Sequence, residues 1–103
     1  MSDAPTPKAY EVHEIVVTDP EAYAEYARLA APTVLAHGGR YVVRGGAGSA
    51  IAGAPPAARV VILEFPDRET ATRWRASTDY QTALRIREAA STSRVYLVEG
   101  VPT

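Results

Sequence analysis

The chain has 103 residues, 47% of them hydrophobic and 22% charged, which is one small domain able to bury a core of its own. It has no cysteine, so disulfides, thiolate metal sites and a cysteine nucleophile are excluded. Eleven basic against twelve acidic residues leave a net charge of −1, which argues against a nucleic-acid partner.

No segment approaches the roughly 18 apolar residues that cross a bilayer, so no membrane span is expected. Met1 to Lys8 is short, polar and Pro-containing, and reads as a flexible N-terminal tail rather than a signal peptide. Residues 9–103 then form a single domain, with the cytoplasm as the default location. Ten of the eleven basic residues are Arg and Ala is abundant, an association with GC-rich bacterial coding.

Ala9 to Val17 is β-branched and aromatic, and predicts a strand. Tyr10, Val12, Glu14 and Val16 share one face; Glu11, His13, Ile15 and Val17 share the other. Asp19-Pro20-Glu21 is a helix start: a capping carboxylate, a proline suited to the first turn, and an acid at the positive end of the dipole. Tyr23, Ala27, Ala30 and Val34 recur at helical spacing, and Pro32 is expected to kink or interrupt that helix near Ala31. Gly38-Gly39 supplies the left-handed cap that ends it, with His37 at the negative end of the dipole.

Arg40 to Arg44 predicts a second strand. Gly45 to Pro56 is rich in small and turn residues and reads as a flexible hairpin loop, its stretch Ala47 to Pro56 mobile and near the mouth of a pocket. Ala58 to Phe65 is nearly all apolar, as in a central strand covered on both faces. Pro66-Asp67 stops it and caps a helix with Ala71 and Trp74 on its buried side. Ser77-Thr78-Asp79 restarts a helix carrying Tyr80, Ala83, Leu84 and Arg87, and Ser93 to Glu99 is the last strand.

The order β-α-β-β-α-β, with right-handed crossovers, is the ferredoxin-like α+β sandwich: a four-stranded antiparallel sheet with its helices on one face. Val60 and Ile62 oppose Val61, Leu63 and Phe65 across the third strand. The face away from the helices is therefore apolar, and two copies packed sheet to sheet would bury it, so a homodimer is expected.

Several segments resemble one family, the bacterial domain-of-unknown-function 1330 family. They are Val17 to Glu21 with Tyr23 and Tyr26, His37 to Tyr41, Val43 to Gly46, Glu64-Phe65-Pro66, Trp74, Ser77, Tyr80-Gln81, Arg87 and Val98-Glu99-Gly100. The resemblance implies a branch of the dimeric α/β-barrel superfamily. Relatives there include cofactor-free monooxygenases of polyketide quinones, cyclases, a lactone isomerase and haem enzymes. The sequence departs from the family pattern at Glu11 and His13, where members more often carry aliphatic residues. It departs also at Arg75 for a common Tyr, at Thr78 for a common Pro, and in the loop Ala47 to Pro56, which lacks the usual acids.

His13 stands mid-strand among apolar neighbours, and Glu11 lies on the same face about 6–7 Å along. The pair reads either as base and acid gripping a substrate or as a structural His bonded to a carboxylate. Glu64 reads either as a pocket carboxylate with Arg44 or Arg87 as the anion contact, or as one member of an ion pair with Arg40 and Arg44. Trp74, Tyr26, Tyr80 and Tyr96 read as the lining of a flat aromatic pocket or as plain core. Two His with scattered carboxylates make no metal signature, Gly45 to Gly48 lacks the residues of a phosphate loop, and no organic cofactor is expected.

The expected function is a cofactor-free enzyme of bacterial specialised metabolism. It would cyclise, isomerise or dehydrate a small apolar, aromatic or polyketide-like substrate by acid–base chemistry. His13, Glu64 and Glu11 are the catalytic candidates; Tyr26, Arg44, Trp74, Tyr80 and Arg87 are the substrate-binding ones. A cofactor-free monooxygenase on the same fold and a non-catalytic binding or structural dimer are the alternatives.

Overall fold

The computed structural model describes residues 5–102. The first half of the expected tail, residues 1–4, lies outside them. The elements are β1 (Ala9–Val17), α1 (Pro20–Ala36), β2 (Arg40–Gly46), β3 (Arg59–Phe65), α2 (Arg68–Ala76), α3 (Thr78–Ala90) and β4 (Ser91–Glu99). Among them no helix is long and apolar enough to cross a membrane.

Each helix starts where a short polar side chain takes over the first free N–H groups. Asp19 accepts from the Ala22 amide at 3.2 Å, and Asp67 from the Thr70 amide at 2.7 Å. Ser77 serves two helices at once. Its amide closes α2 on the Trp74 carbonyl at 3.1 Å, and its hydroxyl accepts from the Tyr80 amide at 3.3 Å to open α3. The second helical layer is thus two helices, as the Ser77-Thr78-Asp79 cap implies.

Pro32 does not interrupt α1, which runs unbroken to Ala36. Pro32 and Arg28, whose carbonyl loses its helical partner, both lie on the exposed side, so that carbonyl need not be buried without a partner. At the helix end Gly38 takes φ +78°, the Gly39 amide returns to the Val34 carbonyl at 2.9 Å, and His37 Nδ1 lies 2.9 Å from the Thr33 carbonyl.

The four strands form one antiparallel sheet in the order β2-β3-β1-β4. β3 therefore lies between the parallel pair β1 and β2, as the crossover rule requires. One face is buried against the helices. Ala9, Glu11, His13 and Ile15 of β1 lie there with Val61, Leu63 and Phe65 of β3, packed with Trp74, Tyr80 and Val34. The other face carries Tyr10, Val12 and Glu14 beside Val60, Ile62 and Glu64.

β2 departs from simple alternation. Its register against β3 runs Arg40–Glu64, Tyr41–Leu63, then Val43–Ile62, Arg44–Val61, with irregularities at Val42 and Gly45. The bulge at Val42 puts Tyr41 and Arg44 on the same, helix-facing side. The loop after β2 does not border the cavity described below. Residues 49–52 and 54–56 line a surface groove with Glu14 and Arg94 of the open face.

Candidate functional site

The helix-facing side of β1 meets α2 and α3 in a continuous chain of polar contacts inside an apolar core. Arg75 of α2 clasps the Glu11 carboxylate with two N–H groups, Nη2 on Oε1 and Nε on Oε2 at 2.8 Å. Glu11 Oε1 is 2.9 Å from His13 Nε2. His13 Nδ1 is 3.0 Å from Arg87 Nη1, which also reaches the Tyr80 hydroxyl at 3.1 Å. The Tyr80 hydroxyl is 3.1 Å from that of Tyr26. Glu11, His13, Arg87 and Tyr80 are all nearly or fully buried.

The donors fix the direction of this chain as far as Tyr80. A guanidinium only donates, so His13 Nδ1 accepts from Arg87, and Nε2 carries the ring proton and donates it to Glu11. Tyr80 also accepts from Arg87, and across the Tyr26–Tyr80 contact either phenol can donate. With Tyr80 as the donor, the Tyr26 O–H is free to donate.

The space that receives it is a cavity of about 20 Å³, room for about one water. Tyr26 and Trp74 form its wall with His13 beside them, and Arg44 and Arg59 stand at its rim with Tyr23 and Tyr41. Trp74 is held by its indole N–H on the Thr33 hydroxyl at 3.0 Å, and its ring lies 3.9 Å from that of Tyr80 between centroids. On the other side Glu11 and Arg75 line an open groove with Gln81 and Leu97, so the chain of contacts reaches solvent at the β4 edge.

Burial shapes the charges. It pushes the His13 imidazole below its usual range, and the opposing pull of Glu11 does not overcome it. Burial pushes the Glu11 carboxyl up, but the hydrogen bonds from Arg75 and His13 outweigh it and the carboxylate persists. Burial drives Tyr26 and Tyr80 upward, and lifts Tyr41 to about 12. The site at neutral pH therefore holds a carboxylate, a neutral imidazole and protonated phenols. Because His13 is neutral in the fold and titrates near 6.5 when unfolded, the unfolded chain binds the extra proton first. Stability is expected to fall as pH drops below about 6.5, read as the urea midpoint at pH 7.5 and 5.5. His13→Gln should flatten that slope.

Three expectations are corrected here. Glu64 does not join His13. It alternates with Leu63 and Phe65 and so faces the open side, where it accepts from Arg40 at 2.9 Å and Tyr10 at 2.9 Å and lies 3.7 Å from Lys8. Arg44 takes no part in that ion pair, because the bulge carries it to the cavity rim. Tyr96 likewise lies on the open face, donating to Glu14 at 3.1 Å, and is not part of the aromatic wall. His13, Glu11, Tyr26, Trp74, Tyr80 and Arg87 do come together. Arg59 and Tyr41 join the lining beyond the candidates of the sequence; Arg59 shares the parity of Val61, Leu63 and Phe65, which is the signal that finds it. Among the described residues no three His, Asp or Glu side chains converge as metal ligands.

The family model Domain of unknown function (DUF1330) matches residues 8–101. No curated protein matches the chain. Among solved structures, a protein of unknown function from Rhodopseudomonas palustris is similar with TM-score 0.78 and 20% identity, over 98% of this chain and 88% of that one. SnoaB, a cofactor-independent oxygenase from Streptomyces nogalater, is similar with TM-score 0.65 and 14% identity, over 95% and 97%. A protein from Bacteroides thetaiotaomicron described as a possible oxidoreductase follows at 0.60 and 12%, over 93% and 99%. At these identities the likeness is one of fold, the ferredoxin-like sandwich.

Proposed function

The chain belongs to the DUF1330 family, and from its buried site we propose that it is a cofactor-independent enzyme doing acid–base chemistry on a small, aromatic or polyketide-like molecule. Cyclisation, isomerisation and dehydration are the reactions this chemistry serves, in the cytoplasm of a bacterium with a specialised metabolism. The observation that carries the reading is the buried chain Arg75–Glu11–His13–Arg87–Tyr80–Tyr26, which brings an imidazole and a phenol to one cavity.

In this reading a substrate carbonyl oxygen accepts from Tyr26. The carbon beside that carbonyl gives its proton to His13 Nδ1, and the electron pair of the broken C–H bond moves onto the oxygen as an enolate. Tyr26 stabilises that charge, with Arg87 behind Tyr80 polarising the relay. Arg87 Nη1 must release Nδ1 for the transfer, and its second acceptor, Tyr80, keeps the guanidinium placed while it does. Glu11 then holds the imidazolium, as the carboxylate of a catalytic triad does. Return of the proton to another carbon completes an isomerisation.

The test uses 2-tetralone, a small aromatic ketone with an acidic methylene, in D2O under nitrogen. Its C1 protons should exchange faster with the protein than in buffer, followed by NMR. Exchange no faster than in buffer overturns the reading in favour of a binding dimer. The likeness to a cofactor-independent oxygenase supports a second reading, in which the enolate reacts with oxygen. Oxygen uptake with the same ketone in air would favour it.

A homodimer through the open sheet face is part of the proposal. Val43, Ile62 and Val12 form a row between the Glu14–Arg94 and Glu64–Arg40 pairs, with Val60 and Val98 beside those pairs, an apolar strip framed by charges that a second copy would cover. Sedimentation at micromolar concentration should give about twice 11.0 kDa. Ile62→Lys should give a folded monomer, because Ile62 lies outside the helix-facing core; a dimeric variant would contradict this interface.

A further inference from the structure

We infer that the cavity takes its ligand as an anion, an aromatic carboxylate whose ring lies inside and whose charged group is held at the rim by Arg44 and Arg59. The inference rests on the cavity being the substrate site and adds the chemical class of what enters it.

The distribution of arginines carries it. Arg28, Arg40, Arg68, Arg73, Arg75 and Arg94 each lie within 4.0 Å of a carboxylate. Among the described residues Arg44, Arg59, Arg85 and Arg87 have no such partner. Three of these four gather at one place: Arg44 and Arg59 line the cavity and Arg87 stands behind Tyr26 and His13. The cavity lining contains no Asp or Glu, and the one carboxylate in the neighbouring network, Glu11, is taken up by Arg75. Arg87 is also buried with its Nε unpartnered. A chain of net charge −1 thus concentrates positive charge around this cavity, a field that draws an anion.

The two rim arginines are placed rather than merely exposed. Arg44 opposes Val61, and Arg59 lies two residues from Val61 on the same face, so the two come from paired strands to one cavity. Two guanidiniums at one small cavity repel, and an anion between them relieves that repulsion. The Arg44 guanidinium stacks 4.5 Å over the Tyr41 ring, and that of Arg59 4.9 Å over Tyr23. Stacking fixes their planes and leaves N–H edges to grip a carboxylate. Gly45 makes the seat for Arg59: it has φ +75°, and a Cβ there would come 2.7 Å from the guanidinium. The Arg59 Nε–H also donates to the Tyr23 hydroxyl, at a long 3.3 Å. This tie helps to close a cavity now the size of one water. A ligand that draws Arg59 off Tyr23 widens the cavity at that rim, and a carboxylate gains the two guanidiniums in addition.

Calorimetric titration with 2-naphthoate and with 2-naphthamide, its neutral analogue of the same shape, tests this. The native protein should bind the acid at least about tenfold tighter than the amide. Arg44→Gln and Arg59→Gln should each weaken the acid by about tenfold or more, the usual worth of a hydrogen bond to a charged group, and leave the amide unchanged. Arg40→Gln, on the opposite face, should bind as the native chain does. Thermal melts establish that each variant folds, and Arg44→Gln, on an exposed edge, keeps the test intact if Arg59→Gln does not. Equal affinity of the native protein for acid and amide overturns the inference, as does unchanged acid binding in the folded rim variants. The readout is affinity, so it stands apart from turnover. Charge-selective binding without exchange of 2-tetralone would overturn the enzyme reading alone, and exchange without charge selectivity would overturn this inference alone.

Discussion

Arg75→Met is expected to lower the unfolding free energy by about 3–5 kcal/mol, the cost of breaking a buried ion pair from one side. The Glu11 side chain is 4% exposed and that of Arg75 32%. Removing the arginine strands a carboxylate with only the neutral His13 beside it, whereas removing the acid leaves a guanidinium that can turn to water in the groove at the β4 edge. Glu11→Gln should therefore cost clearly less than Arg75→Met. The pair Glu11→Leu with Arg75→Met should recover much of the loss, since two apolar side chains leave no buried charge uncompensated. Urea unfolding at pH 7.5 measures all three. For a domain of this size, whose whole stability is of order 5–15 kcal/mol, the effect of the single arginine is large. Equal costs for Arg75→Met and Glu11→Gln would mean that Glu11 is better solvated than its burial indicates.

His13→Gln and Tyr26→Phe are each expected to slow the exchange of 2-tetralone by about 10²–10⁴-fold, the usual worth of a positioned acid, base or oxyanion donor. Gln keeps hydrogen-bonding groups for Arg87 and Glu11 but takes up no proton. Phe keeps the ring against Tyr23 and Tyr80 and removes only the O–H at the cavity. Combined, the two losses should fall well short of their product, because the groups act as one unit on one proton transfer. Both variants should still fold, with Tyr26→Phe costing stability through the Tyr80 hydroxyl, which loses its hydrogen-bond partner. Native exchange rates in both variants would leave the buried chain a structural device.

The strands and the helix starts were legible because each rests on local chemistry. Asp19, Asp67 and Ser77 cap what they were expected to cap, and β1 spans Ala9–Val17 as its composition indicates. The pairing of Glu11 with His13 was legible from alternation alone. The face they occupy was not, because both faces of β1 carry apolar and charged residues, and only packing against α2 and α3 decides between them. The bulge at Val42 has no local signature, so the side taken by Arg44, and with it the separation of Arg44 from Glu64, depended on the β2–β3 register. Arg75 follows Trp74 on a short helix and reads as surface; its link to Glu11 spans 64 residues of sequence. It is nonetheless one of the places where the sequence departs from the pattern of the family it resembles, and of these Glu11, His13 and Arg75 meet in space while Thr78 and the loop Ala47 to Pro56 do not join them. Pro32 leaves α1 unbroken because it sits on the exposed side of the helix, where the lost hydrogen bond is not buried.

The central claim is that a neutral His13, bonded to Glu11 through Nε2 and to Arg87 through Nδ1, is the proton-accepting member of the site. Long-range ¹⁵N–¹H NMR of labelled protein across pH 4.5–8 tests it most directly, with the His13 signals assigned by their loss in His13→Gln. The account predicts a neutral ring protonated at Nε2 at pH 7, titrating below 6.5 for as long as the fold persists. A ring protonated at Nδ1, or an imidazolium already formed at neutral pH, would contradict it.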